Sequence, residues 1–472
     1  MGMSGVRNLK VWTAHLIAAL SLVLLAGVLL AGPAHAETLT VNSTNHPGSG
    51  GCNATECTLK EALDEANTNA VSDTDTIGFT SGLSGEIELT AASGGFVILN
   101  DTPAVDVRIV GPGGRGVTID GNGMARPLNI LGLANAAIEG LTIKNGVSGQ
   151  EGRESGGGIY NAGTLRLTNS TVSGNSAFNG GGIYNFHTGT LTLTNSTVSG
   201  NSATDAAGGI SNFGTINVSN STISGNSATV AYSGIYNEDT ATLKNTIVAN
   251  SPSGGGNCAG GTITDGGYNL DSDGSCGFGT TNHSLSGTMD NPLNPQLGPL
   301  ANNGGPTKTH ALLAGSPAIN KGVAVAGITT DQRGVARPQG AAPDIGAFEV
   351  DTKKPKVSTA TPTGTDIGRG TNVAATFSEK MSPTSITKST FKLFKVTSSG
   401  TTQLTNVTLT LSSDGLKATL NPYGTSSTLL APRTRYKAVV TTGAKDLAGN
   451  ALDQSSTTAG NQQKTWTFTT KG

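Results

Sequence analysis

Apolar residues recur through the middle of the chain in columns about 25 residues apart, and polar residues flank each of them. One column has spacings of 24, 29, 26, 25 and 25 residues, and a second always precedes it by five residues. The first contains Ile119, Ile143, Val172, Val198, Ile223 and Val248, and the second contains Ile138, Leu167, Leu193, Val218 and Leu243. Such alternation is typical of strands that bury one face. Three short strand-like runs per repeat therefore predict an all-β fold, a parallel β-helix of about 7–9 coils.

Asparagine columns follow the same repeat. The first contains Asn161, Asn185, Asn212 and Asn237, the second contains Asn169, Asn195, Asn220 and Asn245, and the third contains Asn175, Asn201 and Asn226. An inward Asn at a sharp turn can bond the local backbone, and its amide can bond the same amide one coil away. We therefore predict structural Asn ladders. Several of these residues also match the N-x-S/T pattern, but the ladders account for them without glycosylation.

The first 36 residues have the pattern of a secretory signal peptide. Arg7 and Lys10 precede an apolar run over residues 16–30, and residues 34–36 (AHA) offer a small-residue cleavage site. The alternative is an uncleaved membrane anchor, because the apolar run borders on spanning length. We expect a mature chain that is secreted or at the cell surface and has no transmembrane segment.

Residues 37–71 are predicted to cap the first coil. Thr58 and Glu61 have the spacing of a capping box, in which each side chain bonds a free backbone N–H of the first helical turn. The residues that follow place Leu59, Ala62, Leu63 and Ala66 on one face of a helix of about three turns. A solenoid needs such a cap, because its first coil otherwise exposes apolar side chains and unpaired strand edges.

Composition and charge add three constraints. Aromatic residues make up only 4% of the 472 residues, which argues against one large globular core. Export favours disulfides for the four cysteines, and of three connectivities we predict the local one, Cys52–Cys57 and Cys258–Cys276. Residues 37–350 hold 12 basic and 25 acidic side chains, whereas residues 351–472 hold 15 and 6. The C-terminal segment is therefore the basic part of the chain.

Several segments of the repeat region resemble known bacterial surface proteins. Residues 156–161 (GGGIYN) and 169–177 (NSTVSGNSA) resemble the repeats of polymorphic outer-membrane-type β-helix proteins, and residues 57–63 (CTLKEAL) resemble the CSLREAI motif. Four further segments resemble the choice-of-anchor Q domain: residues 294–305 (NPQLGPLANNGG), 311–320 (ALLAGSPAIN), 331–334 (DQRG) and 344–349 (DIGAFE). These resemblances imply a right-handed coil over residues 37–350 and an extracellular rod, usually without demonstrated catalysis.

Residues 351–472 differ in composition and do not repeat. Strand-like runs at 373–377, 391–396, 407–411, 418–420, 435–441 and 465–469 suit an antiparallel sandwich of six or seven strands. Residues 376–381 (TFSEKM) and 445–450 (KDLAGN) resemble the bacterial Ig-like domain of S-layer type, the SbsA-like family. That resemblance implies a spacer or a surface-attachment module. We expect three parts: a signal peptide (1–36), a capped β-helix (37–350) and an Ig-like sandwich (351–472).

The pattern of carboxylates does not predict catalysis. β-Helix lyases and hydrolases place carboxylates, with Arg, Lys or His, on adjacent coils of one outer face. Here no acidic doublet falls in a repeated register, and residues such as Asp120, Glu139 and Glu154 fall in different registers or in turns. The alternative is a polysaccharide lyase or glycoside hydrolase. In that case the spacing of residues along the chain does not reveal its carboxylate cluster.

Tyr160, Tyr184 and Tyr236 form the best candidate ligand-binding column. They share the outward position beside the first Asn column, which Ser211 interrupts. Rings on one face, about one or two coil heights apart, could stack on sugar rings. The alternative is that they pack on each other or on a loop.

Asn269, Asp271 and Asp273 match the first positions of a calcium-binding loop. The twelfth position is Thr280, so the bidentate acid is missing, and a Cys258–Cys276 disulfide could fix the turn without metal. Calcium is the one cofactor that the sequence admits.

The remaining charged groups are given structural roles. Asp331, Arg333, Asp344 and Glu349 are predicted to form a buried polar knot that closes the last coil. The basic C-terminal segment could bind anionic envelope polymers, or it could only aid solubility.

The predicted function is that of a non-catalytic extracellular or cell-surface protein, for adhesion or for binding glycans of the cell envelope. The expected partner is a cell-envelope or extracellular polysaccharide. Nucleic acid is not expected, because the exported chain lacks interleaved aromatic and basic residues. The oligomeric state is left open. The alternatives are a carbohydrate-active β-helix enzyme and a purely structural surface spacer.

Overall fold

The computed structural model describes residues 36–472 except residues 49, 69–73, 93, 101–105, 114–115, 149–153, 252–254, 424–428 and 456. The predicted signal peptide lies outside the described residues, apart from Ala36. The described chain is almost entirely β-structure. None of its helices combines the length and the apolar character that crossing a membrane requires.

The chain first coils into stacked parallel strands, which form three long sheets in the described residues. Sheet A contains Thr38–Val41, Asp75–Phe79, Asp106–Val110, Asn135–Glu139, Thr164–Thr168, Thr190–Thr194, Thr215–Ser219, Thr240–Lys244 and Ile263–Asp265. Sheet B contains Gly85–Glu88, Val117–Asp120, Leu141–Lys144, Thr171–Ser173, Thr197–Ser199, Thr222–Ser224, Ile247–Ala249, Leu270–Asp271 and Leu285–Ser286. Sheet C contains Phe96–Asn100, Leu128–Gly132, Ile159–Asn161, Ile183–Asn185, Ile210–Asn212, Ile235–Asn237 and Cys258–Gly260.

Smaller elements complete the solenoid. A short sheet between sheets B and C contains Ser176–Ala177, Ser202–Ala203 and Ser227–Ala228, and a 3-10 turn spans Thr280–Asn282. Each coil passes from sheet A to sheet B to sheet C. This architecture confirms the predicted parallel solenoid.

The strand register is the one that the apolar columns predict. Ile143 pairs with Val172 in sheet B, and Leu167 pairs with Leu193 in sheet A, with the columns continuing in both directions. The inward Ile, Leu and Val side chains are buried and form one continuous core. Each contributes roughly 1.5–3 kcal/mol by leaving water. Because an offset by one residue turns a strand's apolar set outward, this burial specifies the register.

A helix, α1 (Leu59–Thr68), caps the first coil as predicted. The Thr58 N–H donates to the Glu61 carboxylate (2.8 Å), and the Glu61 N–H donates to Thr58 Oγ1 (3.2 Å), which is a capping box. The apolar face of α1 packs into the solenoid core, including Leu59 and Leu63. A Cys52–Cys57 disulfide closes the loop before the helix.

Two of the three asparagine columns form amide ladders. In the first, the Nδ2 of Asn161, Asn185 and Asn212 each donates 2.7 Å to the Oδ1 of the next coil. In the third, Asn175 donates to Asn201, and Asn201 to Asn226, at 2.9 Å. Every link is buried, so each donating amide N–H has a partner where water cannot supply one.

The second column differs from its prediction. Asn169, Asn195, Asn220 and Asn245 have φ between 47° and 52°, the left-handed conformation that Asn tolerates in a sharp turn. Their amides do not bond one another. Instead the Nδ2 of Asn195 donates to the Thr330 carbonyl (2.8 Å), and that of Asn245 donates to the Val323 carbonyl (2.6 Å). The left-handed backbone turns these side chains out of the coil and toward a different part of the chain.

That part is residues 297–350, called here the flank segment, which begins with the antiparallel hairpin Leu297–Ala301 and Thr309–Leu312. It runs back along the outer face of sheet B rather than continuing the coil. Gln332, for example, accepts a hydrogen bond from Thr197 (2.7 Å), and the Ala347 N–H donates to Thr222 Oγ1 (3.0 Å). The outward threonines of sheet B are buried as a result.

The predicted polar knot forms, but not over the last coil. Arg333 pairs with Asp331 at 2.7 Å, and Arg337 pairs with Glu349 at 3.1 Å, with all four side chains at most 2% exposed. Asp344 joins them through its backbone, because its N–H donates to the Glu349 carboxylate (2.9 Å) and its carbonyl accepts from Arg337 (2.8 Å). The knot lies within the flank segment, because its residues, in segments 331–334 and 344–349, pack on the side of sheet B. Such a buried network is costly to break, since either partner alone is an uncompensated charge.

The C-terminal sandwich consists of two sheets in the described residues. One contains Val357–Thr361, Val373–Phe377, Lys417–Asn421 and Thr408–Leu411, and the other contains Gly364–Ile367, Lys464–Thr470, Arg435–Val440, Phe391–Thr397 and Gly400–Gln403. Pairing is antiparallel except between Gly364–Ile367 and Lys464–Thr470. Both sheets contribute to one separate core. The sequence missed the strands Val357–Thr361, Gly364–Ile367 and Gly400–Gln403, which bury few side chains and lack apolar alternation.

Candidate functional site

Aromatic side chains line the outer face of sheet C. Residues on either side of an inward Asn point outward, because strand side chains alternate. Tyr160 and Tyr184 stack with ring centroids 5.7 Å apart, and Tyr184 lies 5.4 Å from Phe213, which lies 6.0 Å from Tyr236. Phe186, His187 and Tyr232 border them at 5.1–6.0 Å. This strip, the aromatic ribbon, consists of Tyr160, Tyr184, Phe186, His187, Phe213, Tyr232 and Tyr236.

The ribbon joins the three predicted tyrosines through residues that the sequence analysis missed. Ser211 interrupts the tyrosine column, and Phe213 fills the gap from the position that follows the inward Asn212. The signal was a second outward column, directly after each inward Asn. It contains Ala162, Phe186, Phe213 and Glu238. Its two aromatic members lie in the same strand regions as Tyr184 and Ser211 of the tyrosine column.

Charged groups terminate the ribbon at both ends. Arg126 lies over the Tyr160 ring, 5.4 Å from its centroid, and donates to the Gly156 carbonyl at 2.6 Å. At the other end the Tyr236 hydroxyl donates to the Glu238 carboxylate. Burial raises the pKa of Tyr160, although Arg126 opposes the shift, so the phenol stays neutral at physiological pH.

Exposed aliphatic side chains also lie on sheet C, beyond the Arg126 end of the ribbon. Val97 and Leu99 lie on the outer face of the first sheet C strand and are 38% and 42% exposed. Val97 pairs with Asn129, which pairs with Tyr160, so the aliphatic positions share the register of the ribbon. The ribbon rings themselves are partly exposed. Asn129 separates Val97 from Tyr160, so the exposed apolar residues form two patches on one face, and such patches are typical of interaction sites.

The residues of the predicted calcium loop lie in the last coils. The Asp271 carboxylate accepts from Asn257 Nδ2 and from the Cys276 N–H, both at 2.8 Å, and Asp273 accepts the Asn257 N–H at 2.9 Å. The Asn269 Oδ1 accepts the Thr246 N–H at 2.9 Å. Burial raises the pKa of Asp271 to about 6. These oxygens hold the turn together, and calcium binding here stays a prediction.

The predicted pairing of the remaining cysteines is present in the same turn. A Cys258–Cys276 disulfide joins the last sheet C strand to the loop after Leu270–Asp271. No free cysteine occurs among the described residues.

A carboxylate–lysine group lies on the outer face of sheet B, against the expectation that no acidic doublet shares a register. Glu88 pairs with Asp120, and Asp120 pairs with Lys144. Lys144 Nζ lies 2.7 Å from Glu86 and 3.0 Å from Asp120. Linear spacing missed this group, because the coils that carry it precede the regular repeats and differ in length.

Ion pairing dominates the electrostatics of this group. Burial lowers the pKa of Lys144, but hydrogen bonds to Glu86 and Asp120 outweigh it, and the net pKa is raised. Burial likewise raises the pKa of Asp120, but hydrogen bonds from the Asn122 N–H and Lys144 leave it lowered. Both groups are therefore charged at neutral pH, and the lysine holds its proton tightly.

The comparisons with known proteins bear mainly on the C-terminal sandwich. Residues 351–470 match the family model of the bacterial Ig-like domain. The Ig-like domain thus contains both sheets of the sandwich and every residue of TFSEKM and KDLAGN. No curated protein sequence matches the chain.

Two solved structures have low similarity to parts of this chain. Surface layer protein SbsC, domains 1–6, is 20% identical over 25% of this chain and 14% of that chain, with a TM-score of 0.19. Pectate lyase Pel9A is 13% identical over 66% of this chain and 96% of that chain, with a TM-score of 0.33. The chain thus spans about 14% of the length of the surface layer protein that it matches.

Proposed function

We propose that this chain is a non-catalytic extracellular or cell-surface protein that binds a polysaccharide along the aromatic ribbon of sheet C. The observation that supports this function is the continuity of the ribbon, in which partly exposed rings follow one another at 5.4–6.0 Å. Sugar rings present apolar C–H faces, and these can pack along the exposed edges of the stacked rings over several successive sugars.

The scaffold suits such a ligand. Strands hydrogen-bonded in register fix the ribbon backbone, and ring-on-ring packing limits side-chain rotation. Little conformational entropy is then lost when a ligand binds. We further propose that residues 1–36 are removed on export, that residues 37–350 display the ribbon, and that residues 351–472 form a spacer or attachment module.

The test is a polysaccharide screen of the mature chain, residues 37–472. Retention on each immobilised polymer is recorded together with released reducing ends and with unsaturated products absorbing near 235 nm. We expect retention without products. The double variant Tyr184→Ala with Phe213→Ala removes the centre of the ribbon and is expected to reduce retention at least about ten-fold, the equivalent of 1.4 kcal/mol.

The matched control is Tyr268→Ala, which removes a partly buried ring stacked on His283 away from the ribbon. It is expected to retain the polymer as the unmodified chain does. Equal retention by the double variant and the control would exclude the ribbon as the binding surface. Absence of retention on every polymer, with no products, would favour the structural spacer.

A carbohydrate-active enzyme is the second candidate, because Glu86, Asp120 and Lys144 meet on adjacent coils of one outer face. The same screen tests it. Products that disappear in Lys144→Gln but persist in Lys244→Gln, a lysine on sheet A, would overturn the non-catalytic proposal and assign the chemistry to this group.

A further inference from the structure

Three carboxylates meet where the flank segment joins the C-terminal sandwich. Asp351 directly follows the flank segment, and Glu379 and Asp446 lie in loops of the sandwich. One carboxylate oxygen from each residue lies within 4.8 Å of those of the other two. Glu379 and Asp446 belong to the segments TFSEKM and KDLAGN, to which the proposed polysaccharide binding assigns no role.

A second observation indicates a ligand for these carboxylates. Asp446 is only 2% exposed, and its Oδ1 accepts the Asn450 N–H at 2.8 Å. Its Oδ2 is buried without a hydrogen-bond partner among the described residues. A carboxylate oxygen buried in this way costs free energy unless some group outside the chain completes it.

No ion pair among the described residues includes Asp351, Glu379 or Asp446. Lys380 lines the same cavity as these carboxylates but pairs with none of the three, so the carboxylates repel one another at short range. A bound divalent cation would remove this repulsion.

We propose that Asp351, Glu379 and Asp446 bind one calcium ion. Calcium takes oxygen ligands at 2.3–2.6 Å, so two ligands of one ion lie at most about 5 Å apart, and the observed oxygens meet that limit. Second carboxylate oxygens and water supply the remaining positions of a six- to eight-fold shell. The oxygen-only ligand set excludes softer metals such as zinc and copper as the preferred occupant.

The ion fixes the junction between the solenoid and the sandwich. A cavity of about 230 Å³ at this junction is lined by the three carboxylates together with flank residues such as Thr330 and Val335. The flank also touches the sandwich directly, because an added Cβ at Gly304 would overlap the Leu447 carbonyl oxygen. Calcium bound by residues on both sides therefore holds the two parts in one orientation.

Calcium titration of the metal-free mature chain tests the proposal. Binding is measured by calorimetry, and the Tm is measured in 2 mM calcium chloride and in EDTA. We expect one calcium ion per chain and a Tm that rises with calcium concentration. Glu379→Gln, which removes one of three charges with little change in shape, is expected to weaken binding at least about ten-fold.

Two control variants locate the ion. Asp414→Asn changes an exposed carboxylate of the sandwich, and Asp273→Asn changes the turn in the last coils where the sequence predicts calcium. Asp414→Asn is expected to bind calcium as the unmodified chain does, and Asp273→Asn is expected to leave calcium bound by Asp351, Glu379 and Asp446. If Glu379→Gln does not fold, Asp351→Asn, whose side chain is only half-buried, takes its place.

Three outcomes would overturn the proposal: no calcium binding by the unmodified chain at 2 mM, binding unaffected by Glu379→Gln, or loss of binding only in Asp273→Asn. None of them concerns the aromatic ribbon, so polysaccharide retention and calcium binding succeed or fail separately.

Discussion

At the level of single residues, asparagine does two different things in this solenoid, and the backbone decides which. Where the residue ends a strand with its side chain inward, as at Asn212, the amide donates to the next coil and accepts from the previous one. Where φ is near 50°, as at Asn195, the side chain leaves the coil and bonds the flank segment. Residue type and spacing are the same in both columns, so the sequence could not separate them.

Substitution at Asn212 tests the ladder. Asn212→Ala leaves Asn237 Oδ1 without its donor and Asn185 Nδ2 without one acceptor, in a buried site. We expect the free energy of unfolding to fall by about 1–3 kcal/mol, measured by urea denaturation. The control, Asn217→Ala, removes an exposed amide from the outer face of sheet A and should leave the value within about 0.5 kcal/mol. Equal effects of the two substitutions would contradict a stabilising ladder.

At the level of elements, α1 covers the apolar core of the first coil, as each coil covers the core of the next. Its apolar face covers the open end of the core, and the capping box pairs the backbone N–H groups that its first turn leaves free. Glu61 has a further role, because it also accepts the Gly50 N–H at 2.8 Å and so bonds the segment before Cys52 to the helix. The spacing of Thr58 and Glu61 predicted the box, but not this third bond.

The pH dependence of stability should report on Glu61. Burial by itself raises the pKa of Glu61, but hydrogen bonds from the Thr58 and Gly50 N–H groups outweigh it and lower the pKa below its usual value near 4.5. The stabilisation is therefore present above pH 4.5 and is lost as the pH falls through the lower folded-state pKa. Thermal unfolding of Glu61→Gln should show a smaller decrease in stability below pH 4.5 than that of the unmodified chain. Glu65→Gln, on the exposed face of α1, should keep the full decrease.

At the level of the whole molecule, the described residues form two large hydrophobic cores, which the flank segment joins. One core runs the length of the solenoid, and the other lies between the two sheets of the sandwich. A third, smaller cluster, which includes Ile247, Leu312 and Phe348, seals the flank segment onto sheet B. Since the cores share no residue, the two parts can unfold at different temperatures.

Tryptophan fluorescence separates these transitions. Trp466 lies in the sandwich core, and the other tryptophan, Trp12, belongs to the predicted signal peptide. In the mature chain, fluorescence should therefore report the sandwich alone, while far-UV circular dichroism is dominated by the solenoid. We expect the two melting curves to have different midpoints. Coincident midpoints for the two signals would instead indicate a single cooperative unit.

The sequence by itself determined the solenoid, its register, the capping helix and the outward tyrosines, since these follow from short-range periodicity. Ile143 and Val172 must pair because only that register buries both columns. The tertiary structure decided the path of the flank segment and the role of the second asparagine column. It also brought Lys144 into contact with Glu86, and Asp351 close to Asp446. Those contacts join residues far apart in the chain through hydrogen bonds and charges that leave no period in the sequence. Hydrophobic burial repeats with the coil, whereas a polar contact depends on where two unrelated segments come together in space.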